Sequence, residues 1–210
     1  GQPLRLGPRA WLASDFMAGV EEIRQASDRV ALAESRIAAS LPTRDSEPGR
    51  SAWEAACADF HEEFARFVAL VGLDGKLIRR GEASAIERAI AFMEADPQCF
   101  RSGYMLANAA YALANAPLSN EDRARLRVVV IDQVERPRAR MMRPMGRLAA
   151  AVWSDGLDVS LRQLAAEPAD LGQLSTRSPR WGRRSRIEVR VACIRAAVLQ
   201  QRRTEAGGAA

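Results

Sequence analysis

Residues 119–135 read SNEDRARLRVVVIDQVE, and the branched run Val128 to Ile131 at its centre is the strongest β-strand candidate in the chain. A strand here would admit a mixed fold, whereas a helix would leave the chain entirely helical. Three features favour the helix. Ser119 with Asp122 has the S-x-x-[DE] form of a helix start, in which the hydroxyl and the carboxylate each satisfy a backbone N–H of the first turn. Leu126, Val129, Val130 and Val134 then recur at helical spacing, and no tight hairpin turn lies nearby. The spacing therefore predicts one helix, closing before Pro137, with RVVVID inside it.

Working outward, the same kind of segment recurs. Pro97, Pro137 and Pro179 lie 40 and 42 residues apart. Each is expected to follow a shorter helix and to open a second one, because proline in a first turn lacks only an N–H that would have had no partner. An apolar ladder with steps of four, three and four follows each: Phe100, Tyr104, Ala107, Tyr111; Met141, Met145, Leu148, Val152; and Ile187, Val191, Ile194, Val198. The segments before the prolines are amphipathic too, as in Ile86, Ala89, Ile90, Met93 and in Leu157, Leu161, Leu164, Ala165. Toward the amino terminus, Phe16, Val20, Ile23, Ser27, Val30, Glu34, Ile37 and Leu41 form one long stripe with two polar interruptions. A second stripe, Trp53, Cys57, Phe60, Phe64, Phe67 and Val71, begins after PTRDSEPGR, with Ser51 and Glu54 as its expected capping pair. The run GLDGK at 72–76 ends it. Two long stripes joined by a short polar loop predict an antiparallel hairpin over residues 1–75.

A period near 40, the Asp96-Pro97 dipeptide, Arg101 just after it and the small-residue run ANAAYALANA at 107–116 give residues 84–203 a likeness. The chain resembles HEAT-type helical repeats there. Arg136 and Ser178 replace the acidic residue before proline in the later copies. The resemblance implies about three helix pairs over residues 76–205, forming a short right-handed solenoid with a binding face, and it implies no chemistry. The expected fold is all-α, hairpin first and repeat array second.

Composition is that of a globular chain, with 48% hydrophobic and 27% charged residues among 210. No run of 18 apolar residues occurs and no secretory leader is evident, so a cytoplasmic protein without membrane contact is expected. Cys57, Cys99 and Cys193 are odd in number and far apart, as suits reduced thiols. The net charge of +5 is uneven: residues 1–119 carry 13 basic and 16 acidic groups, residues 120–210 carry 18 and 10. The second half therefore holds the positive field.

No catalytic signature accompanies it. His61 in HEEF has Ala65 where a zinc motif H-E-x-x-H needs its second histidine, and nothing nearby completes a tetrahedral set with Cys57. G-x-S-x-G and phosphate-cradling glycine loops are absent. No enzyme, metal or cofactor is expected. Rotating each residue by about 100° places Arg140 and Arg147 on one flank of the second ladder, and Arg186 and Arg190 on the same flank of the third. Stacked in parallel they form a stripe, to which Arg180, Arg183 and Trp181 add. On that flank the first ladder has Cys99, Gly103, Leu106 and Ala110, an expected neutral surface where the stripe ends. The stripe has three readings: a solvated face, a clamp for a protein with an acidic surface, or a phosphate-tracking groove for DNA or RNA with Trp181 stacking on a base or filling a gap. Arg184, Arg195 and Arg202, on the opposite flank, are expected to be structural, either covering core edges with their stems or pairing with acids of a neighbouring helix. The first reading of function is a non-catalytic adaptor that binds another protein, its amino-terminal hairpin either capping the stack or forming a homodimer with another copy. The second is nucleic-acid binding by the basic half, in the manner of HEAT-like DNA-repair proteins.

Overall fold

The computed structural model describes residues 9–136, 141–166 and 183–207, with side chains over 19–136, 141–166 and 187–204. Those residues are helical with no strand among them: α1 (Arg9–Ser40), a 3-10 turn (Leu41–Thr43), α2 (Glu47–Val71), α3 (Gly75–Arg80), α4 (Ala83–Ala95), α5 (Ser102–Leu113), α6 (Asn120–Glu135), α7 (Met142–Ala151), α8 (Asp155–Ala166) and α9 (Arg183–Gly207). No described helix is long and apolar enough to cross a membrane. The helices gather into two compact units, Gly1–Ile78 with Glu82–Leu106 and Arg79–Gly81 with Ala107–Ala210.

The run that decided the fold class is helical. Ser119 accepts the N–H of Asp122 at 3.1 Å, and the Asp122 carboxylate accepts the Ser119 N–H at 2.9 Å, so two N–H groups that no helical turn can satisfy are paired at the start of α6. Leu126, Val129, Val130 and Val134 are buried, while Val128 is 59% exposed. The branched run thus splits between faces at a helical period rather than alternating.

In the first unit α1 packs along α2 and against α4. Val20, Ile23, Val30, Phe67, Val71 and Phe92 are among the side chains that fill the core. Ser27, one of the two polar breaks in the α1 stripe, is 2% exposed and accepts the backbone N–H of Gln98 at 3.0 Å. A hydroxyl in the core is tolerated because it satisfies a donor of the turn after α4. Glu34, the other break, is exposed.

α2 begins one turn earlier than the Ser51–Glu54 pair predicts. Ser46 is its N-cap, accepting the N–H of Gly49 at 3.3 Å, with proline in the first turn. Ser46 wins because Pro48 suits the first turn and because Gly49, lacking a Cβ, lets that turn fold against the Thr43 carbonyl. The far end closes as predicted at Gly72, in the left-handed region at φ 53°.

In the second unit α9 packs on α7 and α8 and touches α6. The second ladder, Met141, Met145, Leu148 and Val152, is buried throughout, and so are Val191, Ile194 and Val198 of the third. Gly146 of α7 faces Ala197 of α9 so closely that a Cβ there would lie 2.9 Å from the alanine methyl. The first ladder is the exception and corrects the sequence reading. Phe100 is 39% and Tyr104 58% exposed, whereas Leu106 and Ala110, expected on a neutral surface, are fully buried. Pro97 does not open α5. Asp96 (φ 48°) and Arg101 (φ 58°) are both left-handed, and the helix starts only at Ser102. Tyr104, Ala107 and Tyr111 keep their helical spacing within α5, but the opposite face, Leu106, Ala109, Ala110 and Leu113, is the one drawn into the core.

Candidate functional site

Of the seven residues that the sequence proposes for partner or phosphate binding, Arg140, Arg180 and Trp181 lie outside the described residues. Arg183 and Arg186 are placed in α9 by their backbone alone. The remaining two differ in surroundings. Arg147 is exposed on α7, its guanidinium 5.6 Å from the centre of the Tyr111 ring. Arg190 is half-buried and donates to the carbonyl of Val134 in the last turn of α6.

Among the described residues, Arg24, Arg123 and Arg127 are used in the same way. Arg24 donates to the carbonyls of Glu94 and Ala95 at 3.2 and 3.4 Å, at the end of α4. Arg127 donates to Val152 at 2.8 Å and Arg123 to Ala151, both at the end of α7. The last carbonyls of a helix have no intrahelical partner and carry the negative end of its dipole, so a guanidinium from a neighbouring helix satisfies both hydrogen bonding and charge. Part of the chain's positive surplus is therefore structural. No spacing rule reveals it, because each contact joins residues 25 to 71 positions apart.

Arg195 has the structural role expected of its flank. Its Nε lies 2.9 Å from Asp158 of α8, which also accepts two bonds from Arg162 at 2.6 and 2.9 Å. Hydrogen bonds from Arg162 hold the Asp158 carboxyl below its ordinary 3.8, opposed by partial burial and assisted by the charges of Arg162 and Arg195. A carboxyl with a depressed native pKa contributes stability above its unfolded pKa and loses it as pH falls through the native one. Asp158→Asn is therefore expected to cause a small drop in melting temperature at pH 7. That difference from wild type should close as the pH is lowered from about 4 toward 2, and thermal scans across that range check it. A gap of constant size would show that the contact is not ionic.

Among the described residues, the first unit exposes two aromatic side chains, Phe100 and Tyr104. Phe100 stands edge-on to Phe60 and Phe64, with centroids at 5.5 and 5.6 Å, and the Arg101 guanidinium lies 5.2 Å over its outer face. Phe64 in turn leads to the buried Phe67 and thence to Phe92. Phe100 is thus held on aromatic supports yet remains open to solvent, and Tyr104, four residues on, is exposed as well. Left-handed backbone at Arg101, a residue with a Cβ, is conformationally costly, and such positions concentrate at functional sites. Sequence reasoning missed this surface by assigning Phe100 and Tyr104 to the core. The signal available was the pair of bulky rings beside a run of alanines, which can pack more closely.

His61 is exposed and edge-on to Phe60 at 5.6 Å. No group of three histidine, cysteine or carboxylate side chains is placed to hold a metal among the described residues. A groove of about 310 Å³ between α1 and α2 is bordered by Arg29, Arg36, Asp59 and Glu63. Its charges are already paired, Arg29 with Glu63 at 3.3 Å and Arg36 with Asp59 at 3.7 Å. Compared with known proteins, the chain matches no protein-family model, no curated sequence and no solved structure.

Proposed function

We propose that this protein is a non-catalytic helical-repeat adaptor that binds another protein through the Phe100, Arg101, Tyr104 surface. In this reading α1 and α2 form an antiparallel hairpin, and the helices beyond Gly81 form HEAT-like pairs of a short right-handed solenoid. The ion pairs Arg29–Glu63 and Arg36–Asp59 join later positions of α1 to earlier positions of α2, which supports the hairpin. Burial of the second and third ladders supports the pairs. The observation that carries the function is the exposed Phe100, seated against Phe60 and Phe64 with a guanidinium over its ring, together with the exposed Tyr104 four residues on. Aromatic and arginine side chains dominate binding energy in protein interfaces, and a partner with apolar groups flanked by acids would engage all three. Cytoplasmic residence goes with this reading, as do cysteines that remain thiols.

The test is affinity capture with wild type and with Phe100→Ala/Tyr104→Ala, both verified as folded by circular dichroism. A protein held by wild type and lost by the double variant is expected. Equal retention by both, or no retention, would remove the proposal.

A second reading, nucleic-acid binding, is favoured by the excess of 18 basic over 10 acidic residues in 120–210 and by the exposed Arg147 beside Tyr111. Its support is thinner, because Arg123, Arg127 and Arg190 of the same unit are engaged at helix ends. Binding of labelled duplex and single-stranded DNA, followed by anisotropy at low and moderate salt, separates the two. Affinity that falls with salt would favour nucleic acid, and absence of binding at low salt would exclude it.

A further inference from the structure

Residues 99–102 form a tight turn whose third position departs from the usual chemistry. The Ser102 N–H bonds to the Cys99 carbonyl at 3.1 Å, which closes the turn, and Arg101 stands third in it at φ 58°. A positive φ at that position ordinarily belongs to glycine or asparagine, because a Cβ there crowds the following carbonyl. The backbone is nonetheless held from both sides. Ser102 is buried, and its hydroxyl donates to the Cys99 carbonyl at 2.7 Å and accepts the Cys99 N–H at 3.2 Å. The Arg101 carbonyl accepts the N–H groups of Tyr104 and Met105 at 3.0 and 3.2 Å, the opening bonds of α5. Phe100, second in the turn, is seated edge-on against Phe60 and Phe64. What the turn offers to solvent is a phenyl ring, a guanidinium over it and, at the start of α5, the Tyr104 ring.

Arg101 also has a charge to offer. It is exposed and forms no ion pair among the described residues. Stacking on Phe100 occupies the face of the guanidinium, whereas its N–H donors lie in the plane, in the fork geometry that matches a carboxylate. Other arginines of the same unit are already committed: Arg24 to the end of α4, Arg29 to Glu63, Arg36 to Asp59 and Arg66 to Glu62 and Glu63. A residue that strains the backbone and adds nothing to the core is explained by the use of its side chain.

We propose that the turn at 99–102 reads short acidic segments of a partner protein: a bulky apolar side chain settles on Phe100 and Tyr104, and an aspartate or glutamate beside it in sequence pairs with Arg101. This rests on the adaptor reading and names what its surface takes. Phe100, Arg101 and Tyr104 lie close together along the chain, so a few residues of a partner engage all three, and the uncompensated positive charge among the rings selects an acid.

The test selects phage-displayed random dodecapeptides on the full chain and discards those that also bind Phe100→Ala/Tyr104→Ala. Selected peptides are expected to place Asp or Glu next to a bulky apolar residue. Labelled copies should bind wild type in anisotropy with an affinity that falls as salt rises. Arg101→Asn suits the left-handed backbone and removes the charge, so its melting temperature should equal or exceed that of wild type. The same variant should bind a selected peptide about three- to tenfold more weakly, and Arg101→Glu more weakly still. Replacing the peptide's acid by its amide should weaken binding to wild type by a similar factor and leave binding to Arg101→Asn unchanged. Selected peptides without acids, or equal affinity for wild type and Arg101→Asn, would overturn this inference and leave the aromatic surface standing. A selection that returns no peptide dependent on Phe100 and Tyr104 would remove the surface itself, and the adaptor reading with it.

Discussion

Phe92→Ala is expected to lower the melting temperature by about 10 °C. Phe92 sits on α4, fully excluded from solvent, with its ring centroid 6.2 Å from that of Phe67 on α2. Removing a buried phenylalanine side chain costs about 3 to 5 kcal/mol, the lost transfer energy plus the cavity left behind. In a chain of this length each kcal/mol corresponds to roughly 2 to 4 °C. The site has little capacity to collapse, because α4 is also held to α1 through the Arg24 bonds to Glu94 and Ala95. Calorimetry measures the loss, and hydrogen exchange should place it in α1, α2 and α4. A shift below about 2 °C would mean that α4 does not lie in the core of the first unit.

Gly49→Ala is the second large effect, and its mechanism differs. A Cβ at Gly49 would stand 1.8 Å from the Thr43 carbonyl oxygen and 2.4 Å from its carbon, both backbone atoms that cannot rotate away. The turn that places Ser46 over the Gly49 N–H must open, with loss of the cap and of the first turn of α2. The combined cost is about 2 to 4 kcal/mol. The damage should stop at Ser51, because Ser51 and Glu54 supply a capping pair one turn further on. Exchange protection is therefore expected to vanish at Gly49 and Arg50, whose N–H groups bond to Ser46, and to persist beyond about residue 54. Gly19→Ala is the control: nothing lies within 4 Å of a Cβ there, and alanine in a helix should be neutral or stabilising by up to about 1 kcal/mol. Equal urea midpoints for the two variants would refute the close approach at Thr43.

These effects bear on how much of the protein is readable from residue order. The helical state of 119–135 was legible, because a capping pair and a 3.6-residue period are local and agree with each other. So was the end of α2 at Gly72, since the left-handed cap asks for a residue without a side chain. The ladders of α7 and α9 point inward as their spacing predicts. The start of α2 was misjudged by one turn, because two capping serines compete. The winner is decided by contact between Gly49 and a carbonyl six residues away. The face of α5 was misjudged although its spacing is regular, because periodicity marks two possible stripes and packing buries the one of Leu106, Ala109, Ala110 and Leu113 rather than the one with the rings.

Among the candidate site residues the division is sharper. Composition alone located the positive charge in the second half of the chain. It could not tell which arginines face solvent, and Arg190 turns inward to the end of α6 while Arg147 remains exposed. The aromatic pair at Phe100 and Tyr104 looked like core on every local criterion. Sequence by itself determined that the described chain is helical and where most helices run, since both follow from interactions within a few residues. Which face of α5 is buried, which arginines close which helix ends and which aromatics reach solvent were decided only by tertiary packing. Each of those outcomes depends on a carbonyl or a ring brought from tens of residues away, and no local pattern records it.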